Sequence, residues 1–293
     1  MTMLRLVVPK GSLEQQTFEL FAAADLAIER SSDVEYRGSV DDVRIDDVRV
    51  LRPQEIPLYV ADGLFDLGIT GRDWIEETGA DVVSLGELAY SKTTDRPIRV
   101  VLAVHESSPA RAAADLKSGS RVATEYPNLT KRFLSEHGIT AEVLPSYGAT
   151  EAKVPEIADA VVEITETGRA LQAAGLRVLD VVLESYPELI ANPISAADPD
   201  KAHAMGQILT LLLGALDARG KVLVKLNVAT EHLDSVIAVL PAMKTPTVSM
   251  LFGEGGFAVE TVVRKAEINV LIPELKERGA TDILELPLSK IVH

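Results

Sequence analysis

Four short stretches of this sequence place basic, acidic, hydroxyl and glycine residues at the ends of apolar runs, a combination suited to phosphate chemistry. The richest is ADAVVEITETGRALQAAGL, residues 158–176. A buried strand at 160–164 delivers the acid Glu163, and the turn Thr165, Glu166, Thr167, Gly168 then opens a helix. Hydroxyls and unpaired N–H groups at such a turn cradle a phosphate, and Gly168 lets the backbone approach closely. Glu163 could then hold ribose hydroxyls or a magnesium ion. The same pattern serves equally well as a plain helix start capped by Thr165 or Thr167.

The second stretch is Lys10, Gly11, Ser12, directly after the apolar run LRLVV. Ser12 with Gln15 fits the S-x-x-Q capping box, which places a helix start at the carboxyl end of a strand, where α/β proteins bind ligands. Lys10 could set a cation beside a phosphate there, or be a solvated lysine next to a cap. The third is Arg52-Pro53, where a strand ends in a guanidinium able to grip pyrophosphate. DLGITGRDWIEE follows it, with Asp73 in a first helical turn, a position that a carboxylate also favours for the helix dipole alone. The fourth, RVATEYP, offers Thr124, Glu125 and Tyr126 at another strand end.

Composition narrows the remaining possibilities. The 293 residues carry a net charge of −15, which argues against a broad nucleic-acid surface. The whole excess lies in residues 1–217, with 35 acids against 20 bases, while the remainder balances nine against nine. An anionic ligand therefore needs local cations, helix starts or a bridging metal in that part. There is no cysteine, so disulfides, thiolate zinc and thiol nucleophiles are excluded. No Walker, EF-hand or metalloprotease spacing occurs, and the five histidines are scattered. The opening residues do not form a signal peptide, and no run is long enough to enter a membrane, so the cytoplasm is the expected location.

The elements that must position these residues follow an α/β rhythm. Residues 1–90 alternate β-branched runs with amphipathic helices, and a second alternation begins at IRVVLAV and includes a helix over VPEIADA. Two lobes with a cleft between them are expected: residues 1–93 with 181–217, and residues 94–180. VLDVVLESYPELIANP, residues 178–193, reads as one strand leaving the second lobe, with the return to the first at the helix that follows. Residues 218–293 read βαββαβ, the ferredoxin-like order.

Taken together and in order, VPKGSL, RPQEIPLYVADGLFDLGITGRDW, RVATEYPNL, ADAVVEITETGRAL and LPAMKTPTVSML with LIPELKERGATDIL resemble the ATP phosphoribosyltransferases over essentially the whole chain. The resemblance implies two catalytic lobes of periplasmic-binding-protein type and a C-terminal ferredoxin-like, ACT-like domain. It also implies Mg²⁺ dependence, the substrates ATP and phosphoribosyl pyrophosphate (PRPP), feedback inhibition by L-histidine, and a homohexamer built from dimers. The PRPP loop then covers Glu163, Thr165, Glu166, Thr167, Gly168, Arg169, Ala170 and Leu171, with Glu163 also the metal-facing acid. ATP or pyrophosphate falls to Lys10, Gly11, Ser12, Arg52, Asp73, Thr124 and Tyr126, with Lys10, Arg52 and Glu163 as the catalytic groups. The histidine pocket matches Asn227, Met243, Thr245, Thr247, Val262 and Asp282. This chain departs from the family pattern in carrying Glu163 where aspartate is common and Ala170 where threonine is common. The rival readings are a solute-binding protein and a two-lobed sensor without catalysis.

Overall fold

The apolar run after the N-terminus forms β1 (Leu4–Pro9), in which Leu6, Val7 and Val8 are fully buried. Its neighbours β4 (Ile45–Leu51) and β5 (Leu67–Gly71) run parallel to it; β5 is buried along its whole length, whereas β4 alternates buried Ile45, Val48 and Val50 with more exposed positions. The computed structural model describes residues 3–32, 34–91, 96–241, 245–253 and 255–293. These divide into two units, Met1–Leu209 and Thr210–His293.

The first unit holds two lobes. Its first sheet has the order β2 (Ile28–Glu29), β3 (Arg37–Val40), β4, β1, β5, β12 (Pro187–Ala191), β6 (Val83–Glu87). Helices α1 (Glu14–Ala23), α2 (Ile56–Ala61) and α3 (Arg72–Thr78) connect its strands. The second sheet has the order β11 (Leu176–Ser185), β7 (Ile98–His105), β10 (Ala160–Thr165), β8 (Ser120–Thr124), β9 (Ala141–Pro145), with α4 (Pro127–Glu136) and α5 (Arg169–Ala173). Val100, Leu102, Val122, Phe133 and Val162 fill one of its cores.

Three expectations change. Residues 178–193 are two strands in different sheets rather than one: β11 ends at Ser185, β12 begins at Pro187, and Tyr186 alone makes the crossing. The second lobe therefore extends to Ser185 rather than stopping at 180. The stretch VPEIADA forms turns, not a helix, since Val154 and Ala158 are buried as anchors of a loop. The β2–β3 hairpin was not legible, because RGSV alternates too weakly to read as a strand.

α6 (Pro193–Ala197) and α7 (Pro199–Ala218) follow β12. Asp66, at the start of β5, receives Lys201 Nζ at 2.7 Å, Ser195 Oγ at 2.7 Å and the Arg5 backbone N–H at 2.9 Å. These partners outweigh burial and hold its carboxyl well below the usual range. No helix among the described residues is long and apolar enough to cross a membrane.

The second unit contains β13 (Lys221–Val228), α8 (Leu233–Ile237), β14 (Thr247–Met250), β15 (Phe257–Arg264), α9 (Ile268–Glu277) and β16 (Ala280–Pro287). The sheet order β14-β15-β13-β16, antiparallel throughout, is the expected ferredoxin-like arrangement. Strict alternation along β13 sends Val222, Val224, Leu226 and Val228 into a core with Val236, Leu271 and Leu275. Leu223, Lys225 and Asn227 consequently occupy the opposite face.

Candidate active site

A cavity of about 440 Å³ opens between the two lobes at the carboxyl ends of β1, β4, β8 and β10. Ser12, Leu13 and Pro53 line it from one side, and Tyr126, Thr165, Glu166, Thr167, Arg169 and Ala170 from the other. Tyr90 and Ser91 from one lobe crossing, and Ser185 and Pro187 from the other, complete the wall with Asp73 and Trp74.

At its base α3 joins the lobes. Asp73 is 3% exposed; its Oδ1 accepts the Ser185 hydroxyl at 2.7 Å and its Oδ2 the Tyr126 hydroxyl at 2.8 Å. Burial pushes the Asp73 carboxyl up, against these two hydroxyls, and burial with the neighbouring Asp73 pushes the Tyr126 phenol well up. One helical turn on, Glu77 accepts the N–H groups of Asn128 at 3.1 Å and Leu129 at 2.8 Å. It thus caps α4 from the other lobe, because the residue preceding α4, Tyr126, makes no side-chain cap. The Tyr126 ring packs on Trp74 with centroids 4.5 Å apart.

These contacts correct part of the expected site. Both oxygens of Asp73 are engaged within the protein. Thr124 is fully buried and accepts the Tyr126 N–H at 2.9 Å, so its hydroxyl does not face the cleft. Tyr126 reaches the cavity with its ring, its hydroxyl being used on Asp73.

The two turns expected to hold anions stand on opposite rims. On the first lobe, the Lys10 N–H donates to the Leu51 carbonyl at 2.7 Å, which brings the ends of β1 and β4 side by side. Gly11 then lies so close to Arg52 that a Cβ there would sit 3.6 Å from Nη1. The S-x-x-Q box is not formed: α1 begins at Glu14 after Leu13, and the Gly11 N–H donates to Glu14 Oε2 at 3.2 Å. Ser12 is thereby left exposed in the cavity wall rather than spent as a cap. Lys10 and Arg52 adjoin Ser12 and Pro53 in the chain, at the rim, but are not themselves among the residues that line the cavity, and no ion-pair partner of either is found among the described residues.

On the second lobe, Gly168 has φ +79°, the left-handed region, and its N–H donates to Thr165 Oγ1 at 2.8 Å. Arg169 Nε donates to Thr167 Oγ1 at 3.3 Å, and the Ser91 hydroxyl donates to Glu166 Oε1 at 2.6 Å, tying the turn to the lobe crossing. The Leu171 side chain is buried in the core behind the turn, leaving only its backbone for a ligand. Glu163 is not in the cleft wall. It is half-buried in a smaller hollow of about 250 Å³ with Thr150, Glu125, Glu151 and Ala170, the last bordering both hollows. Burial, then Glu125 and Glu151, hold its carboxyl above the usual range, against the Ile164 N–H and Thr150. Among the described residues no group of three or more acids or histidines is arranged to hold a metal by itself.

In the second unit, Asn227 Nδ2 donates to Asp282 Oδ2 at 3.0 Å, and Asp282 has φ +48° where β16 bulges against β13. Thr247 opens β14, and Thr245 precedes it. Val262 lies within β15; it pairs with Leu223, whereas Asn227 pairs with Ala258, so along the strand the two stand roughly 13 Å apart. Met243 lies outside the described residues.

Trp74, Tyr90, Ser91 and Ser185 were not picked out from the sequence. Trp74 carried a signal, as the one tryptophan beside Asp73 in a glycine-flanked turn. Ser185 carried none, since its place depends on β11 ending where the chain changes sheets.

The fold and this cleft define a two-lobed α/β protein with hydroxyl- and glycine-bearing turns on facing rims, accompanied by a ferredoxin-like unit. Comparison with known proteins makes this specific. The ATP phosphoribosyltransferase family model matches residues 52–214, and that of the HisG C-terminal domain residues 218–290. An ATP phosphoribosyltransferase of Desulforudis audaxviator is 47% identical over 99% of both chains, and one of Pelotomaculum thermopropionicum 46% identical over 99% of both. The solved ATP phosphoribosyl transferase (HisG:HisZ) complex from Thermotoga maritima aligns with TM-score 0.61 and 25% identity, covering 72% of this chain and 97% of that one. The chain belongs to the ATP phosphoribosyltransferase family, in the long form that carries the C-terminal domain. It is thus a phosphoribosyltransferase of histidine biosynthesis acting on ATP and PRPP, and these likenesses give no support to a binding or sensor protein without catalysis.

Proposed function

We propose that PRPP is held through its 5-phosphate at the Thr165–Gly168 turn and through its pyrophosphate by Lys10 and Arg52, while ATP enters along Ser12, Trp74 and the Tyr126 ring. The observation that supports this reading is the single cavity shared by Ser12, Pro53 and the Thr165–Ala170 turn. It lets the phosphate-cradling turn of one lobe and the cations at the rim of the other reach the same substrate. Adenine N1 displaces pyrophosphate from C1 of PRPP through an oxocarbenium-like state, so no covalent nucleophile is needed. Alignment by the joined lobes, and the charges of Lys10 and Arg52 on the departing pyrophosphate, do most of the work.

Glu163 suits a role in which it supplies one carboxylate to a Mg²⁺ that arrives with the phosphates, since Mg²⁺ commonly takes one or two carboxylates plus substrate oxygens. Its crowding by Glu125 and Glu151 is relieved by a cation. Bound there, magnesium would neutralise charge on the leaving pyrophosphate. The longer reach of glutamate preserves this role, and Ala170 leaves the phosphate to backbone N–H groups and Thr167.

For regulation we assign L-histidine to the second unit, at the Asn227–Asp282 pair with Thr245 and Thr247, where an amide, an acid and two hydroxyls can receive an amino acid. Val262 flanks the same sheet face, and Met243 completes the set. A homohexamer of dimers and a cytoplasmic location complete the proposal. The test is formation of phosphoribosyl-ATP and pyrophosphate from ATP, PRPP and Mg²⁺, abolished by EDTA, with millimolar histidine inhibiting. Thr247→Val should keep the activity and lose much of the histidine sensitivity; equal inhibition of both proteins would refute the assignment of the pocket.

A further inference from the structure

Lys10 is not left to wander over its rotamers. Its Nζ lies 4.0 Å from the centroid of the Tyr36 ring, on the face that attracts cations. Tyr36 itself is 55% exposed, so its ring fills no core. Its backbone is nevertheless fixed: the Tyr36 carbonyl accepts the Val50 N–H at 3.0 Å, and the next residue, Arg37, begins β3 in register with Arg49. The ring is therefore anchored to β4, the strand that delivers Arg52, while the ammonium comes from β1 alongside it. A second brace ties the same hairpin to the same turn. Arg30 donates to Glu14 Oε1 at 2.6 Å and to the Glu35 carbonyl at 3.2 Å, its guanidinium lies over Phe18, and Glu14 accepts the Gly11 N–H.

We propose that Tyr36 is a positioning residue for the anion site of the first lobe, holding the Lys10 ammonium at the rim with its full charge available. This rests on the reading of Lys10 as a pyrophosphate-facing cation. The choice of an aromatic ring has a physical reason. The first 217 residues carry a large acidic excess, and a carboxylate placed to orient Lys10 would neutralise the charge needed for the ligand. A ring face narrows the rotamers of the lysine without contributing a formal negative charge. The β2–β3 hairpin, otherwise a small edge of the sheet, thereby gains a purpose in the site.

The test compares wild type, Tyr36→Phe, Tyr36→Leu, Lys10→Met and the double variant Tyr36→Leu/Lys10→Met, using magnesium pyrophosphate as the titrated ligand. Tyr36→Leu should weaken pyrophosphate binding roughly two- to fivefold, the size of an exposed cation–ring contact. Tyr36→Phe should restore wild-type affinity because it keeps the ring face. In the Lys10→Met background, Tyr36→Leu should add no further loss. The side-chain methylene resonances of Lys10 should be shifted upfield by the ring in wild type and Tyr36→Phe and return to ordinary positions in Tyr36→Leu. If Lys10→Met weakens binding while Tyr36→Leu does not, or if the Lys10 resonances are the same with and without the ring, the positioning role is overturned and the reading of Lys10 stands. If Lys10→Met itself leaves pyrophosphate affinity unchanged, both fall.

Discussion

At the joint between the lobes, Asp73 and Glu77 are buried, and their oxygens are engaged by the Tyr126 and Ser185 hydroxyls and by the first N–H groups of α4. On the rims, Lys10 and Arg52 carry charge that no carboxylate among the described residues neutralises, and Ser12 stands exposed. Charged and hydroxyl side chains thus serve opposite ends a short distance apart. Polar groups satisfied inside the protein brace the lobes against each other, and on the proposed reading those left at the rim are kept for the ligand. Whether an acid or hydroxyl near a cleft contacts substrate depends on which of these it is, and residue type alone does not decide it.

The comparison is broken most severely by removing the centre of the joint. Asp73→Ala leaves the Tyr126 and Ser185 hydroxyls buried without their acceptor, and should cost about 3–5 kcal/mol of stability, measured by urea unfolding. A loss under 1 kcal/mol would mean that water replaces the carboxylate and that the joint is soft. Glu77→Gln is milder: one amide oxygen can serve one of the two N–H groups, so about 1–2 kcal/mol should be lost. Because α4 and α3 belong to different lobes, this variant should also broaden the distribution of distances between spin labels placed on the two lobes. An unchanged distribution would show that the cap is local to α4.

The smallest effect sharpens the contrast at Glu163, which belongs to neither class. Its carboxyl is held above the usual range, so ionising it costs more in the folded chain than in the unfolded one. That cost is fully present at high pH and disappears as pH falls below about 4, where the group is protonated in both states. Glu163→Gln should therefore raise the thermal midpoint slightly at pH 7 in the absence of magnesium, with the gain vanishing at low pH. A gain that persists at low pH would point to packing rather than charge.

Much of this was legible before the fold was known. The strands β1, β4, β5 and β10 are β-branched, largely apolar segments followed by or ending in Lys10, Arg52, Gly71 and Thr165, and the strand-to-turn punctuation alone locates the rims of the cleft. The ferredoxin-like order of the second unit followed from period-two alternation along β13 and β15. What escaped were features that depend on partners distant in sequence. Asp73 looks the same in sequence whether it faces a ligand or Tyr126 and Ser185, which lie 53 and 112 residues away respectively. The capping box at Ser12 satisfied a local rule and was displaced because Glu14 reaches back to Gly11. The Tyr36 contact required a hairpin whose strands are too short to announce themselves.

The distinction between joint and rim is tested most directly at Arg52, by measuring turnover and thermal unfolding on the same preparation of Arg52→Met. The methionine keeps much of the apolar stem and removes only the guanidinium, which has no ion-pair partner among the described residues. The expected result is a fall in kcat of roughly a hundredfold, the size of losing one group that stabilises developing charge, with the unfolding midpoint unchanged. Near-normal turnover, or a drop in midpoint comparable to that of Asp73→Ala, would contradict the assignment of Arg52 to the ligand-facing rim.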